Sequence, residues 1–207
     1  MEMENENNKK QRLTANEFLK EWAGGRKGFR NVDLSNADLR GAILINIDLR
    51  GADLNGVNLR RANLDSANLS DANLEGADLS ETHLANANLR RANLKGATFS
   101  YTNFHRAILN HVNLQNMDLS YLDFREANFY RANLSNSNLS HSDFELAIFR
   151  YADLSFANFE GANLYGVVFR HAFLIGTDFS KVDLKNANFK GAIMKIDMIT
   201  NYDKKEG

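Results

Sequence analysis

Residues Gly51 to Leu94 read GADLN GVNLR RANLD SANLS DANLE GADLS ETHLA NANLR RANL, a five-residue unit with Leu at its centre. Asp, Asn or, once, His precedes the Leu, and usually Ala precedes that. Outward from this stretch the register holds without a break. From Leu34 to Met194 every fifth residue is Leu, Phe or Met, giving 33 centres of which 22 are Leu, 10 Phe and one Met. Two residues before the centre stands Ala in 20 of the 33 units, and immediately before it Asp or Asn in 25.

A period of five matches neither an amphipathic helix at 3.6 nor a flat strand at 2. It fits a chain that turns once per unit, with the centre and the small residue two before it facing inward. Asp or Asn before the centre is expected at the corner, because short polar side chains bond local backbone and tolerate unusual dihedrals. A second period lies inside the first. Among the Phe centres, pairs 20 residues apart outnumber pairs at 5, 10 or 15, which points to four units per coil. Phe129, Phe149, Phe169 and Phe189 then form one internal column, and Phe104, Phe124 and Phe144 another.

The A-[D/N]-L-x-x register from Asn31 to Met194 resembles the pentapeptide-repeat family. The resemblance implies an all-β solenoid: a right-handed quadrilateral parallel β-helix of about eight coils with one short N-terminal α-helix as a cap. At a strand spacing of ~4.8 Å such a rod is roughly 40 Å long.

Four segments follow: a disordered tail over 1–12, a capping helix and turn over 13–28, the β-helix over 29–199 and a C-terminal tail over 200–207. Thr14 with Glu17 has the spacing of a capping box, and Leu13 with Phe18 that of a hydrophobic staple. Phe18, Leu19, Trp22 and Ala23 form an apolar stripe expected to cover the first coil, and Gly24-Gly25 ends the helix. At the other end Ile193, Met194, Ile196, Met198 and Ile199 gather without a capping helix, a candidate dimer edge, since an unpaired apolar edge needs cover. Either the tail folds back over it or two rods meet end to end, and the expectation here is a homodimer.

The 207 residues carry 25 Lys plus Arg against 26 Asp plus Glu, so net charge selects neither a nucleic-acid binder nor an acidic decoy. Without Cys there is no disulfide framework and no thiolate zinc site, and without Pro no ladder donor is lost. No signal-like or membrane-spanning run appears, so a cytoplasmic protein is expected.

The informative residues are the two per unit that the motif leaves free. Grouped by the 20-residue period, one set collects Arg50, Arg90, Arg91, His111, Tyr130, Arg131, Arg150, Tyr151, Arg170, His171 and Lys190. From Arg90 to Lys190 this is the candidate partner-binding surface, because guanidinium forks interleaved with flat rings make energetic contacts to anions and proteins. The alternative reading is that an exposed ladder simply needs soluble residues, and that the long Arg stems only cover apolar backbone. Tyr101, Tyr121 and His141 share another corner, as a binding ladder or a cross-strand stabiliser.

No catalytic, cofactor or metal site is expected. Asp33/Asp53 and Asp123/Asp143 are the only Asp pairs one coil apart immediately before the centres, and His111 and His171 lie three coils apart. The sequence therefore reads as a non-enzymatic rod offering a binding or scaffolding surface to an unidentified macromolecular partner, most simply a protein. One alternative, brought by the family resemblance, is a DNA mimic acting on DNA gyrase or topoisomerase IV. It requires acids along the rod, whereas Asp65, Asp71, Glu75 and Glu81 form only a short patch. The other is direct nucleic-acid binding through the basic stripe.

Overall fold

The computed structural model describes residues 10–194. One helix, α1 (Ala15–Ala23), precedes a right-handed four-sided β-helix. Parallel bridges join most residues that precede a centre to their counterparts 20 residues on, as in Asp33 with Asp53 and Asp53 with Asn73. The coil therefore holds four units, and the expected 20-residue period is the coil length.

The centres and the residues two before them fill the interior. Leu34, Leu54, Leu74 and Leu94 are at most 1% exposed, and Ala52, Ala62 and Ala72 are as deeply buried. Burial of each Leu or Phe contributes on the order of 1.5–3 kcal/mol before chain entropy is subtracted. Where Thr or Ser replaces the small residue, its hydroxyl donates to a centre's carbonyl: Thr82 to Leu59 O at 2.9 Å, Thr102 to Leu79 O at 2.7 Å. No hydroxyl is thus stranded in the apolar column at these sites. Both Phe columns form. Phe104, Phe124 and Phe144 stack at 5.0 and 5.1 Å, and Phe129, Phe149, Phe169 and Phe189 at 4.7, 5.5 and 5.0 Å.

The turn sits elsewhere than the sequence suggests. The residue before the centre lies mid-side, in the bridge, and the bend is made by the two free residues that follow the centre. The Ala37 amide closes the turn on Leu34 O at 3.0 Å, and Asn36, third in the turn, has φ of 58°. One left-handed residue at that position with an i to i+3 bond is a type II turn. The left-handed residue recurs in every unit from Asn31 to Gly191 except at Lys181, and it is often bulky, as at Arg61, Tyr101 and Phe156. The ladder above and below over-determines a conformation that costs an isolated residue about 1–3 kcal/mol. Asp and Asn keep the other half of their expected role. Their Oδ1 accepts from the amide two residues on, as from Ser35 to Asp33 at 2.9 Å.

At the N-terminus, Thr14 and Glu17 make both bonds of the capping box, and Gly25 takes a left-handed φ of 94° after α1. Leu13 and Phe18 are buried, Phe18 meets Phe29 edge to face at 4.7 Å, and the Trp22 indole donates to Ile43 O at 2.8 Å. The helix is thus a lid on the first coil. Ala23, the last residue of the expected stripe, is exposed. Pairing starts earlier than Leu13, because the Asp33 amide donates to Gln11 O at 2.8 Å and Arg12 bridges to Asp33.

Among the described residues the ladder is interrupted twice inside the rod: near the C-terminal end, where the amides of Phe159, Gly161 and Leu164 have no partner in the next coil, and in the middle. The amides of Leu94, Gly96, Phe99, Tyr101, Asn113 and Asp118 find no protein partner among the described residues, although the equivalent bonds form one coil above and one below. Pairing closes on either flank, at Arg91 N to Asn110 O (3.0 Å) and Phe104 N to Asp123 O (2.8 Å). Across the break stand Val112, Met117 and Leu122, three consecutive units in which the small inward residue is replaced by a larger one. Extra methylenes in a full layer push its neighbours apart.

Candidate functional site

Each turn projects its two central side chains from a corner of the rod, so residues 20 apart stack along that corner at the coil spacing. The sequence-derived basic set therefore lies on one corner as a continuous ridge. His111 meets Tyr130 edge to face at 5.7 Å, Tyr130 meets Tyr151 at 5.8 Å, and Tyr151 stacks on His171 at 4.9 Å and 10°. Arg131 lies over both tyrosines, 5.3 Å from Tyr130 and 5.9 Å from Tyr151, and Arg150 lies 6.0 Å from Tyr151. The ridge ends on Gly191, where a Cβ would stand 2.5 Å from His171 Nδ1; glycine there leaves room for the ring. Arg90 and Arg91 open the ridge, and Lys190 is exposed at its far end.

The electrostatics distinguish this corner from the rest. On the other corners the guanidinium groups are engaged: Arg40 with Asp38, Arg60 and Arg61 with Glu81, Arg106 with Glu126, Arg125 with Asp123. Among the described residues of this corner only Arg30 and Arg50, ahead of the ridge, pair closely, both with Asp48. Along the ridge Arg90, Arg131, Arg150 and Arg170 meet no carboxylate among the described residues, and Arg91 only approaches Asp71 at 3.9 Å. Arg50 belongs to the same corner by register but is neutralised by Asp48 at 2.8 Å. Among the described residues, the two buried side-chain polar atoms without a partner, Asn110 Oδ1 and Arg170 Nε, also fall on this corner. Desolvation, and then the positive charges of Arg90, Arg131 and Arg91, push the His111 imidazole below its ordinary pKa. His111 therefore takes up its proton at a lower pH than an unperturbed imidazole does.

The acidic patch is arranged in the opposite way. Glu81 takes both Arg60 and Arg61 at 2.6 Å, and those forks hold its carboxyl below the usual range. Glu75 meets Lys95 at 3.3 Å, Asp65 accepts from the Ala85 amide at 2.9 Å, and Asp71 faces Arg91.

Of the second aromatic set, Tyr121 stacks on His141 at 4.8 Å and 17°, and His141 lies over Gly161. Tyr101 occupies the same register one coil earlier and makes no ring contact among the described residues. The C-terminal edge is partly described: Ile193 is exposed and Met194 packs on the core, while Ile196, Met198 and Ile199 lie outside the described residues. Among the described residues no helix is long and apolar enough to cross a membrane, and no three His, Asp or Glu gather as a metal site.

The repeat, the coil and the turn define a class, and the comparisons agree with it. The family profile for pentapeptide repeats matches in eight copies between residues 33 and 195, and the chain belongs to the pentapeptide-repeat family. Among solved structures it is similar to HetL, a pentapeptide repeat protein involved in heterocyst differentiation regulation in the cyanobacterium Nostoc sp. strain PCC 7120. Identity is 30% over 89% of this chain and 98% of that one, with a TM-score of 0.31. It is also similar to a trypsin-treated form of QnrB1, a plasmid-mediated fluoroquinolone resistance protein, at 20% identity over 87% of each chain and a TM-score of 0.40. A third is a thylakoid-lumen pentapeptide repeat protein of Arabidopsis thaliana, at 24% identity over 72% of this chain and 69% of that one, TM-score 0.28. No curated protein matches the chain.

Sequence reasoning found the members of the ridge but not their pairing state. That state depends on side-chain conformers reaching neighbours 2, 20 or 21 residues away, which spacing alone does not fix.

Proposed function

We propose that this protein is a non-enzymatic binding rod whose working surface is the corner from Arg90 to Lys190, and that its partner is an acidic surface of another protein. The observation that carries this reading is the contrast in pairing: arginines on the other corners are spent in ion pairs, whereas Arg90, Arg131, Arg150 and Arg170 are not. Of these, Arg131 and Arg150 lie beside tyrosines, which preorganises their guanidinium groups to take carboxylates in bidentate fashion at little further entropy cost.

Direct nucleic-acid binding draws on the same charges, but single-strand binding also needs ring faces on which bases stack. The faces of Tyr130 and Tyr151 are taken up by each other, by Arg131 and by His171. This favours a protein. DNA mimicry has less support, since the four acids of the one acidic patch are each neutralised or hydrogen-bonded.

The test is an affinity pull-down from native cell extract with and without nuclease. A protein retained after nuclease, and lost when Arg131, Arg150 and Arg170 are changed to Glu, is the expected result. Recovery that depends on nucleic acid would replace this reading with the direct nucleic-acid one, and retention by the triple variant would overturn the assigned surface.

A further inference from the structure

A second site lies away from the basic ridge, at the break in the middle of the ladder. Between the coil of Phe99 and the coil of Met117 there is a cleft of about 500 Å³, walled by Phe99, Tyr101, Met117, Tyr121 and Leu122. Its mouth is flanked by two highly exposed rings, Tyr101 at 81% and Tyr121 at 65%. Tyr121 and His141, one coil apart, stack at 4.8 Å; Tyr101 and Tyr121, also one coil apart, do not touch. The aromatic column is therefore interrupted where the backbone ladder is interrupted.

Two features define what fits. Each lip carries main-chain groups released from the ladder: the Phe99 and Tyr101 amides on one, the Asp118 amide and the Asp118 and Ser120 carbonyls on the other. A polypeptide main chain, with alternating donors and acceptors, matches such a rim, as in strand addition to a sheet edge. The lining contains no Lys or Arg and one carboxylate, Asp118, whose Oδ1 already accepts from Ser120 and Asn138. A phosphate-bearing ligand meets no counter-charge there. We infer that this cleft is a recognition site for an uncharged aromatic side chain of a protein segment, its ring inserted between Tyr101 and Tyr121 and its flanking amides bonded to the released main-chain groups. A ring in that position gains a face on each tyrosine.

N-acetyl-tryptophanamide, an uncharged ring between two amides, is the probe. Titrated into the full chain and followed by amide NMR, it is expected to shift Phe99, Tyr101, Asp118 and Tyr121 saturably. N-acetyl-leucinamide should bind about tenfold more weakly, the difference made by two aromatic contacts. Tyr101→Ala with Tyr121→Ala, both exposed, keeps the fold and should abolish the shifts. Met117→Ala should let the coils close, which would be read as slowed hydrogen exchange at Phe99 and Tyr101. No shifts at these amides, equal affinity for the leucine compound, tighter binding of adenosine, or slow exchange at Phe99 and Tyr101 in the unmodified protein would each overturn the assignment.

Discussion

The coils before the mid-rod ladder break and those after it share one backbone and differ in both core and surface. Before it the centres from Leu34 to Leu94 are all Leu, and most corner Arg, though not Arg90, are locked onto Asp or Glu, as in the Arg60, Arg61 and Glu81 cluster. After it Phe columns fill the interior, and one corner presents Arg131, Arg150 and Arg170 without carboxylate partners. The difference teaches that the repeat fixes geometry while the two free positions per unit set chemistry.

The strongest way to break the comparison is through the interior that both halves share. Leu114, 2% exposed in the coil that follows the ladder break, should not tolerate Arg, because an unpaired charge would have to be buried among apolar side chains. Leu114→Arg is expected to lose the cooperative melt or to melt as two separate halves, and a wild-type melting curve would contradict the inward assignment. Next in size is the ridge. Changing Arg131 and Arg150 together to Ala should weaken partner binding by a factor of ten or more, at about 1.5–3 kcal/mol per charged hydrogen bond lost. Changing Arg60 and Arg61 to Ala should leave binding unaltered and hardly move the melt, since exposed ion pairs contribute little.

Acid should affect the paired carboxylates found on both sides of the break. Hydrogen bonds from Ser35, Arg61 and Arg106 hold Asp33, Glu81 and Glu126 below their ordinary pKa values. Their contribution is present above the unfolded-state value of about 4 and is lost as pH falls through the folded value. Urea midpoints should therefore drop on acidification below about pH 4, and a flat profile would remove these groups from the account. His111 works in the opposite half of the titration. Its folded pKa lies below the unfolded one, so the native state binds fewer protons, and His111 costs stability as pH falls through the usual histidine range near 6.5. Removing Arg90 should raise its NMR-observed pKa. The smallest effect belongs to Gln115→Arg, at an exposed turn position beside Leu114, where the melt should be unchanged within about 0.5 kcal/mol.

Much of this was legible because each coil repeats the same local decision. The inward register, the Phe columns, the capping box of Thr14 and Glu17 and the coil length of four units all follow from spacing alone. The turn was misplaced because Asp and Asn have two uses in bends: bonding local amides and accepting left-handed backbone. Here Asp33 and its equivalents do only the first, and residues as large as Tyr101 do the second. The ridge was visible as composition, and its free charge had a signal that composition alone passes over: Asp48 stands two residues before the paired Arg50, whereas Ile148 stands two before the unpaired Arg150. The ladder break had a signal as well. Val112, Met117 and Leu122 are the only three consecutive units to lack a small inward residue, and their packing volume accounts for the break in the middle of the rod; the one near Phe159 and Leu164 has no such run.

The account rests most heavily on the free arginines of one corner. The direct measurement is recovery of the partner from nuclease-treated extract by wild-type protein, by the Arg131→Glu, Arg150→Glu, Arg170→Glu variant and by the Arg60→Glu, Arg61→Glu variant. Loss of the partner with the first variant and retention with the second is the predicted result; equal recovery by both would contradict it.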